Sequence, residues 1–276
     1  MKQYIAVEIA CSEDLKEILM AELGEVNYDS FLETDEGLEA YAERDQFDEQ
    51  VLREILSRYN LSSDSYQIQT VEEKNWNVEW EKNFEPIVVN DQCLVRATFH
   101  QVTQTYPYEI VIDPKMAFGT GHHATTYLML QWQLELDQQN KTVVDAGCGT
   151  GVLAIMAKKQ GADQVTAFDN NEWAVSNSQD NFALNESTDI NLFLGTIQDI
   201  NAEEKFDLIL ANINRNVLLD EMDSYAERLA SEGNLLLSGF LEADQHLIEQ
   251  QAQQVGLQTI GAKRHRGWVA LRLSKH

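Results

Sequence analysis

The stretch Thr142–Ala157, TVVDAGCGTGVLAIMA, decides how the rest of the chain is read. It opens on three β-branched residues, Thr142, Val143 and Val144, with no charge before Asp145, the pattern of a strand buried on both faces. Gly147, Gly149 and Gly151 follow at every second position. Val152 to Ala157 then begin a helical pattern that runs through Lys158 and Lys159 to Gly161, a residue suited to stop it. This order of strand, glycine turn and helix lets a ligand lie against backbone N–H groups, because a Cβ at any of the three glycines would hold it away. A second strand, Gln164 to Phe168, ends in Asp169, 22 residues beyond Gly147. An acid there is placed to accept hydrogen bonds from a pair of ribose hydroxyls, so the ligand is expected to be a nucleoside.

Two nucleosides satisfy these residues. Gly149-x-Gly151-x-x-Ala154 meets the G-x-G-x-x-G/A dinucleotide fingerprint, which keeps a nicotinamide-dependent dehydrogenase open. Asp145, two residues before the first glycine, and the D-x-G-x-G-x-G spacing resemble motif I of the class I S-adenosylmethionine-dependent methyltransferases.

At 276 residues the chain can form two domains, each with its own core, and 43% hydrophobic residues place it among soluble globular proteins. It has no apolar run of about 18 residues, and the opening MKQYIAVEIACSEDL reaches an acid at Glu8, so neither a membrane span nor a leader is expected and the location is expected to be cytoplasmic. Cys11, Cys93 and Cys148 are far apart and form no CxxC pair, which indicates neither a disulfide framework nor a zinc site. The net charge of −26 argues against nucleic acid or an anionic membrane as partner and favours a basic one.

Residues 1–73 hold 19 acids against 5 bases, a net of −14. Their pattern reads strand (Tyr4 to Ile9), helix (Ser12 to Leu23, capped by Ser12), strand (Val26 to Glu33), strand (Gly37 to Ala42), helix (Gln46 to Tyr59) and strand (Tyr66 to Val71). That is the βαββαβ order of a small α+β ferredoxin-like domain. It carries no catalytic constellation and is expected to recognise a substrate. Residues 74–90 form the expected linker helix, with Trp76, Trp80 and Phe84 one turn apart and an end before Pro86. Residues 91–276 are the expected catalytic domain, approached through strands at Val88 to Ala97 and Glu109 to Ile112.

Asp113-Pro-Lys-Met-Ala-Phe-Gly-Thr-Gly-His-His-Ala-Thr-Thr126 precedes a helix from Tyr127 to Leu136. Its glycine pair around Thr120 and its two threonines make a loop rich in backbone and hydroxyl donors, suited to a carboxylate. The segment resembles the D-P-G-x-A-F-G-T-G-T-H-x-T-T signature of the ribosomal large-subunit protein eleven methyltransferases, the PrmA family. The W-x-x-x-W-x-x-x-F-x-P linker and the small N-terminal domain resemble the same family, so the likeness covers nearly the whole chain. Lys115 departs from the usual glycine, and His122-His123-Ala124 stands where Thr-His-Pro is more common. The adjacent histidines lack a third ligand, so no metal is expected.

The resemblance implies S-adenosylmethionine as cofactor and amines of a basic ribosomal protein, large-subunit protein eleven, as substrate. It implies that Phe118, Gly119, Thr120 and Thr126 close over the cofactor, that Gly147, Gly149 and Gly151 cradle its methionine end, and that Asp169 and Asn170 hold its ribose. Phe206 to Asn212 reads as an apolar strand ending at the place of methyltransferase motif IV. Asn212-Ile213-Asn214 there differs from the Asn/Asp-Pro-Pro-aromatic pattern of nucleic-acid amino methylases. Asn212 is the candidate catalytic residue, as orienter of the amine and not as base, because an amide takes no proton at neutral pH, and it is also expected among the cofactor-binding residues. The remaining periodicity predicts helices at Asn177 to Asn185, Val217 to Leu229 and Ala243 to Val255. It predicts strands at Asn191 to Leu194, Asn234 to Gly239, Leu257 to Ala262 and Trp268 to Leu273, the last two an antiparallel hairpin. The expected fold is thus a Rossmann-like doubly wound α/β sheet of class I methyltransferase type behind a ferredoxin-like domain, in a monomer. A methyltransferase acting on small molecules stays open beside the protein methyltransferase.

Overall fold

The computed structural model describes residues 4–34, 36–71, 86–113 and 124–275. The chain divides into two compact units, Met1–Asn83 and Phe84–His276. The expected linker helix with Trp76, Trp80 and Phe84 lies outside the described residues, as does the loop from Pro114 to His123 that contains Phe118, Gly119 and Thr120.

In the first unit, β1 (Tyr4–Ala10), α1 (Glu13–Gly24), β2 (Tyr28–Thr34), β3 (Gly37–Glu43), α2 (Glu49–Arg58) and β4 (Tyr66–Val71) form a four-stranded sheet in the order β2-β3-β1-β4. Every neighbouring pair is antiparallel, as the split βαββαβ unit requires. The period-2 pattern of β1 buries Ile5, Val7 and Ile9, which pack with Leu52, Ile55 and Leu56 of α2. The helix α2 starts at Glu49, later than the Gln46 expected, because the Asp48 carboxylate accepts the N–H groups of Gln50 and Val51.

The second unit opens with a three-stranded sheet of β5 (Ile87–Val89), β6 (Cys93–Ala97) and β7 (Tyr108–Ile112). Residues 87–89 are therefore strand, although the expected linker extended to residue 90. The single strand expected from Val88 to Ala97 is two strands, because Asn90 and Asp91 both take positive φ, 51° and 53°, and reverse the chain between them. Consecutive positive φ values are what a tight hairpin turn needs, and Asn and Asp tolerate them.

The large sheet contains β8 (Thr142–Ala146), β9 (Gln164–Asp169), β10 (Asn191–Leu194), β11 (Phe206–Asn212), β12 (Leu229–Leu241), β13 (Leu257–His265) and β14 (Trp268–Lys275), in the order β10-β9-β8-β11-β12-β14-β13. The first five are parallel, and β14 runs antiparallel between β12 and β13. The helices are α3 (Ala124–Leu134), α4 (Val152–Lys159), α5 (Glu172–Leu184), α6 (Arg215–Arg228) and α7 (Gln245–Gln254). The chain runs outward from β8 through β9 to β10, then returns to β11 on the other side of β8. A crevice therefore opens outside the carboxyl ends of β8 and β11, where an open α/β sheet takes its ligand. Val143, Val144, Ile209 and Leu210 are fully buried, which explains the uninterrupted apolar runs of these central strands.

The helix α5 begins at Glu172 and not at the expected Asn177, because the Asn171 side chain accepts from the Trp173 N–H. Its inner face carries asparagines that dock β7. Asn185 accepts from the Val111 N–H at 2.9 Å and donates to the Val111 carbonyl at 2.6 Å, and Asn181 accepts from the Asp113 N–H at 2.8 Å. Asn185→Ala removes the partners of both the N–H and the carbonyl of Val111. We expect a loss of about 2–4 kcal/mol in unfolding free energy by denaturant titration, the scale of two hydrogen bonds lost with a polar group left unmet; a loss below about 0.5 kcal/mol would refute this anchoring.

Candidate active site

A cleft of about 420 Å³ lies at the crevice, and Gly147, Gly149, Asp169, Asn170 and Asn212 line it. Gly147, Gly149 and Gly151 all have positive φ, at 66°, 57° and 77°. The spacing of alternate glycines is thus a backbone requirement, and two of them are also fixed by packing inside the protein. A Cβ on Gly147 would meet Ile213 Cγ2 at 2.3 Å, and one on Gly151 would meet Phe182 Cε1 at 2.4 Å. Gly151 is the N-cap of α4, and its missing Cβ also makes room for Phe182 of α5.

Two carboxylates hold the turn. Asp145 Oδ2 accepts the Ala154 N–H at 3.0 Å, from inside the first turn of α4, and Asp169 Oδ2 accepts the Gly149 N–H at 3.0 Å. The other Asp169 oxygen accepts from the Asn171 N–H at 3.0 Å. A carboxylate offers about four lone pairs, so Asp169 keeps acceptor capacity toward the cleft it lines. Asp145 is 1% exposed. Burial pushes its carboxyl up to about 7, opposed by the Ala154 N–H and assisted by the negative charge of Asp169. Burial likewise pushes the Cys148 thiol up, and its sulfur lies 3.4 Å from Ser178 Oγ. A thiol so protonated is a packing residue and not a nucleophile.

Asn212 ends β11. Its Nδ2 donates to Thr126 Oγ1 of α3 at 3.3 Å, and its Oδ1 is buried without a hydrogen-bond partner. Thr126 is itself 1% exposed and shares a small recess with Asp145, Gly147 and Asn212. The Thr126 hydroxyl, which can donate or accept, ties the amide to α3, and Oδ1 is left buried and unpartnered at the strand end. At the opposite end of the cleft, Gly195 and Thr196 follow β10, where Asp199 Oδ2 accepts from the Thr196 N–H at 2.8 Å.

Ile213, Gly239 and Trp268 also line the cleft, and sequence reading passes over all three. Gly239 carried a signal, an isolated glycine inside a strand pattern, which often marks a bulge or a close backbone approach. Ile213 stands in the motif IV tripeptide without a role of its own, and Trp268 only as the start of a strand. Among the described residues no cluster of three or more His, Cys, Asp and Glu side chains is arranged to hold a metal, and no helix is long and apolar enough to cross a membrane.

The strand order, a glycine turn held by acids of β8 and β9, and an asparagine at the end of β11 together define the catalytic domain of a class I methyltransferase. The comparisons carry this further. The chain belongs to the ribosomal protein L11 methyltransferase (PrmA) family, whose model matches residues 5–276. It is 41% identical over 265 residues to the ribosomal protein L11 methyltransferase of Phocaeicola vulgatus, covering 95% of this chain and 94% of that one. It is 41% identical over 265 residues to the enzyme of the same name from Porphyromonas gingivalis, covering 95% and 91%. Among solved structures it is similar to the ribosomal protein L11 methylase of Lactobacillus delbrueckii subsp. bulgaricus, with a TM-score of 0.65 and 29% identity over 70% of this chain and 99% of that one.

The raised carboxyl of Asp145 links stability to pH. A folded-state value near 7 against an ordinary 3.8 means that the native protein holds a proton which the unfolded chain releases, so stability falls as pH rises through that window. Asp145→Asn removes the linkage. Denaturant unfolding at about pH 5 and about pH 8 should show a smaller loss for the variant than for the wild type, by up to a few kcal/mol at about 1.4 kcal/mol per pKa unit. Equal losses would mean that Asp145 is ionised throughout.

Proposed function

We propose that the protein transfers methyl groups from S-adenosylmethionine to amino groups of ribosomal protein L11, in the cytoplasm. The observation that carries this is the buried Oδ1 of Asn212, an acceptor without a partner at the edge of a nucleoside-sized cleft. The cleft fits the cofactor: Asp169 has acceptor capacity for two ribose hydroxyls, and Gly147, Gly149, Gly195 and Thr196 line the rest of the cleft, although the Gly149 N–H and carbonyl are already taken by Asp169 and Ser178. When bound, S-adenosylmethionine supplies a methyl group on a sulfonium, a leaving group that needs no metal and no covalent enzyme intermediate.

The protein's task is then alignment of an amine. A lysine with an ordinary pKa of about 10.4 is neutral in roughly one molecule in a few thousand at pH 7, whereas an α-amino group near 7.7–8.0 is neutral in about a tenth. Desolvation at the buried strand end lowers either pKa and enriches the neutral form. Asn212 Oδ1 accepts an N–H of that amine and turns its lone pair toward the methyl, and Thr126 holds the amide side chain in place. A neutral amide cannot take the product proton, so the proton leaves with water.

The acidic N-terminal unit suits a basic protein substrate, by steering and by complementary contact. We assign residues 1–73 to substrate recognition and 91–276 to catalysis. Calorimetric titration should give selective binding of S-adenosylmethionine over NAD, and Asp169→Ala should weaken it by about 1–3 kcal/mol, the scale of a lost charged hydrogen bond. NAD binding in its place, or an unchanged Kd in Asp169→Ala, would contradict the assignment of the ribose site.

A further inference from the structure

Ile213 follows Asn212 and sits between two positions that have no side chain. On one side, Gly147 at the end of β8 leaves room for its side chain, since a Cβ there would lie 2.3 Å from Ile213 Cγ2. On the other side, Gly239 of β12 leaves room for its main chain: a Cβ there would lie 2.0 Å from Ile213 O, 2.7 Å from Ile213 C and 3.0 Å from Ile213 N. The ladder pairs Asn212 with Ser238, so the next residues along the two strands meet. Gly239 has φ 99° and stands where the β12–β14 register shifts between Ser238 and Phe240. The bulge turns a backbone position without a Cβ toward the acceptor strand.

The two contacts differ in kind. A methyl on Gly147 meets the end of a side chain, which can turn or be trimmed. A methyl on Gly239 meets a carbonyl, which can only move with the main chain. Real Cβ contacts essentially never fall under 3.0 Å, so alanine at 239, already strained at a φ of 99°, forces the β12 main chain and the Ile213 carbonyl about 1 Å apart. That carbonyl belongs to the residue bonded to Asn212, and both line the cleft.

We infer that Gly239 is a positioning residue for methyl transfer: its missing side chain seats the Ile213 main chain and thereby sets where Asn212 Oδ1 meets the amine. The inference rests on Asn212 being the amine's orienter. A displacement of about 1 Å at a reacting centre costs about 100-fold in rate, while Asp169, Gly195 and Thr196, on β9 and the loop after β10, are left in place.

The test compares Gly239→Ala and Gly147→Ala, each alone and combined with Ile213→Ala, by kcat on ribosomal protein L11 and by Kd for S-adenosylmethionine. Gly239→Ala should lower kcat about 100-fold with Kd changed less than about threefold, and Ile213→Ala should not restore it, because the obstructed atoms are main chain. Gly147→Ala should recover about tenfold when Ile213→Ala removes the obstructing Cγ2. Rescue of Gly239→Ala by Ile213→Ala, or no kcat loss in Gly239→Ala, overturns the inference. A crystal structure of Gly239→Ala reads the displacement without turnover. A moved Ile213 carbonyl with an inactive wild type would sink the proposed function and leave the seating intact; an unmoved carbonyl sinks the seating itself. Should Gly239→Ala fail to fold, Ile213→Gly, which loosens the same main chain, must fall at least about tenfold below Ile213→Ala in kcat; equal rates overturn the inference.

Discussion

The hydrogen bonds that two carboxylates accept from the glycine turn and from the helix after it are the constraint on which the rest of the site depends. Asp145 reaches forward to the Ala154 N–H and Asp169 reaches across to the Gly149 N–H, so the turn is tied both to its own helix and to the neighbouring strand. Three consecutive alternate residues at positive φ cost conformational entropy on folding, which these bonds and the packing of Ile213 and Phe182 offset. With the turn fixed, the ends of β8, β9 and β11 present one crevice. Burial of Asp145 costs enough to lift its carboxyl toward neutrality, a penalty the fold accepts in holding the turn from beneath.

From that constraint follows a site that aligns and does not attack. Its only sulfur in the turn is a buried, protonated thiol, and the candidate catalytic group at the acceptor end is a neutral amide held by Thr126. Such a set suits a reaction whose leaving group is already activated and whose nucleophile arrives as a neutral amine. The same economy makes the site sensitive to main-chain position, which is why the side-chain-less residues around Ile213 matter as much as the polar ones.

Much of this was legible in the sequence because it is written locally. The β8–turn–α4 unit declares itself by an apolar strand, alternate glycines and a helical period, and the βαββαβ unit by its alternation of periods; sheet order then follows from the rules of connection. What escaped was written across distance. Asn212 meets Thr126 from 86 positions away, Ile213 meets Gly147 and Gly239 through strand register, and no local pattern announces either. Gly151 has a further reason of the same kind: its missing Cβ makes room for Phe182 of another helix, which spacing alone cannot show. Boundaries moved where a cap outweighed propensity, at Asp48 and Asn171, and where Asn90 and Asp91 turned one expected strand into two.

The most direct test of the account is single-turnover methylation of ribosomal protein L11 by wild type and Asn212→Ala, followed by intact mass and paired with the Kd for S-adenosylmethionine. Wild type should add mass in steps of one CH₂ per methyl. The variant should slow the chemical step by about 100-fold with cofactor affinity nearly unchanged, since the lost carbonyl orients the amine and not the cofactor. An unchanged rate, or a loss confined to Kd, would contradict the role of the β11 strand end in presenting the amine.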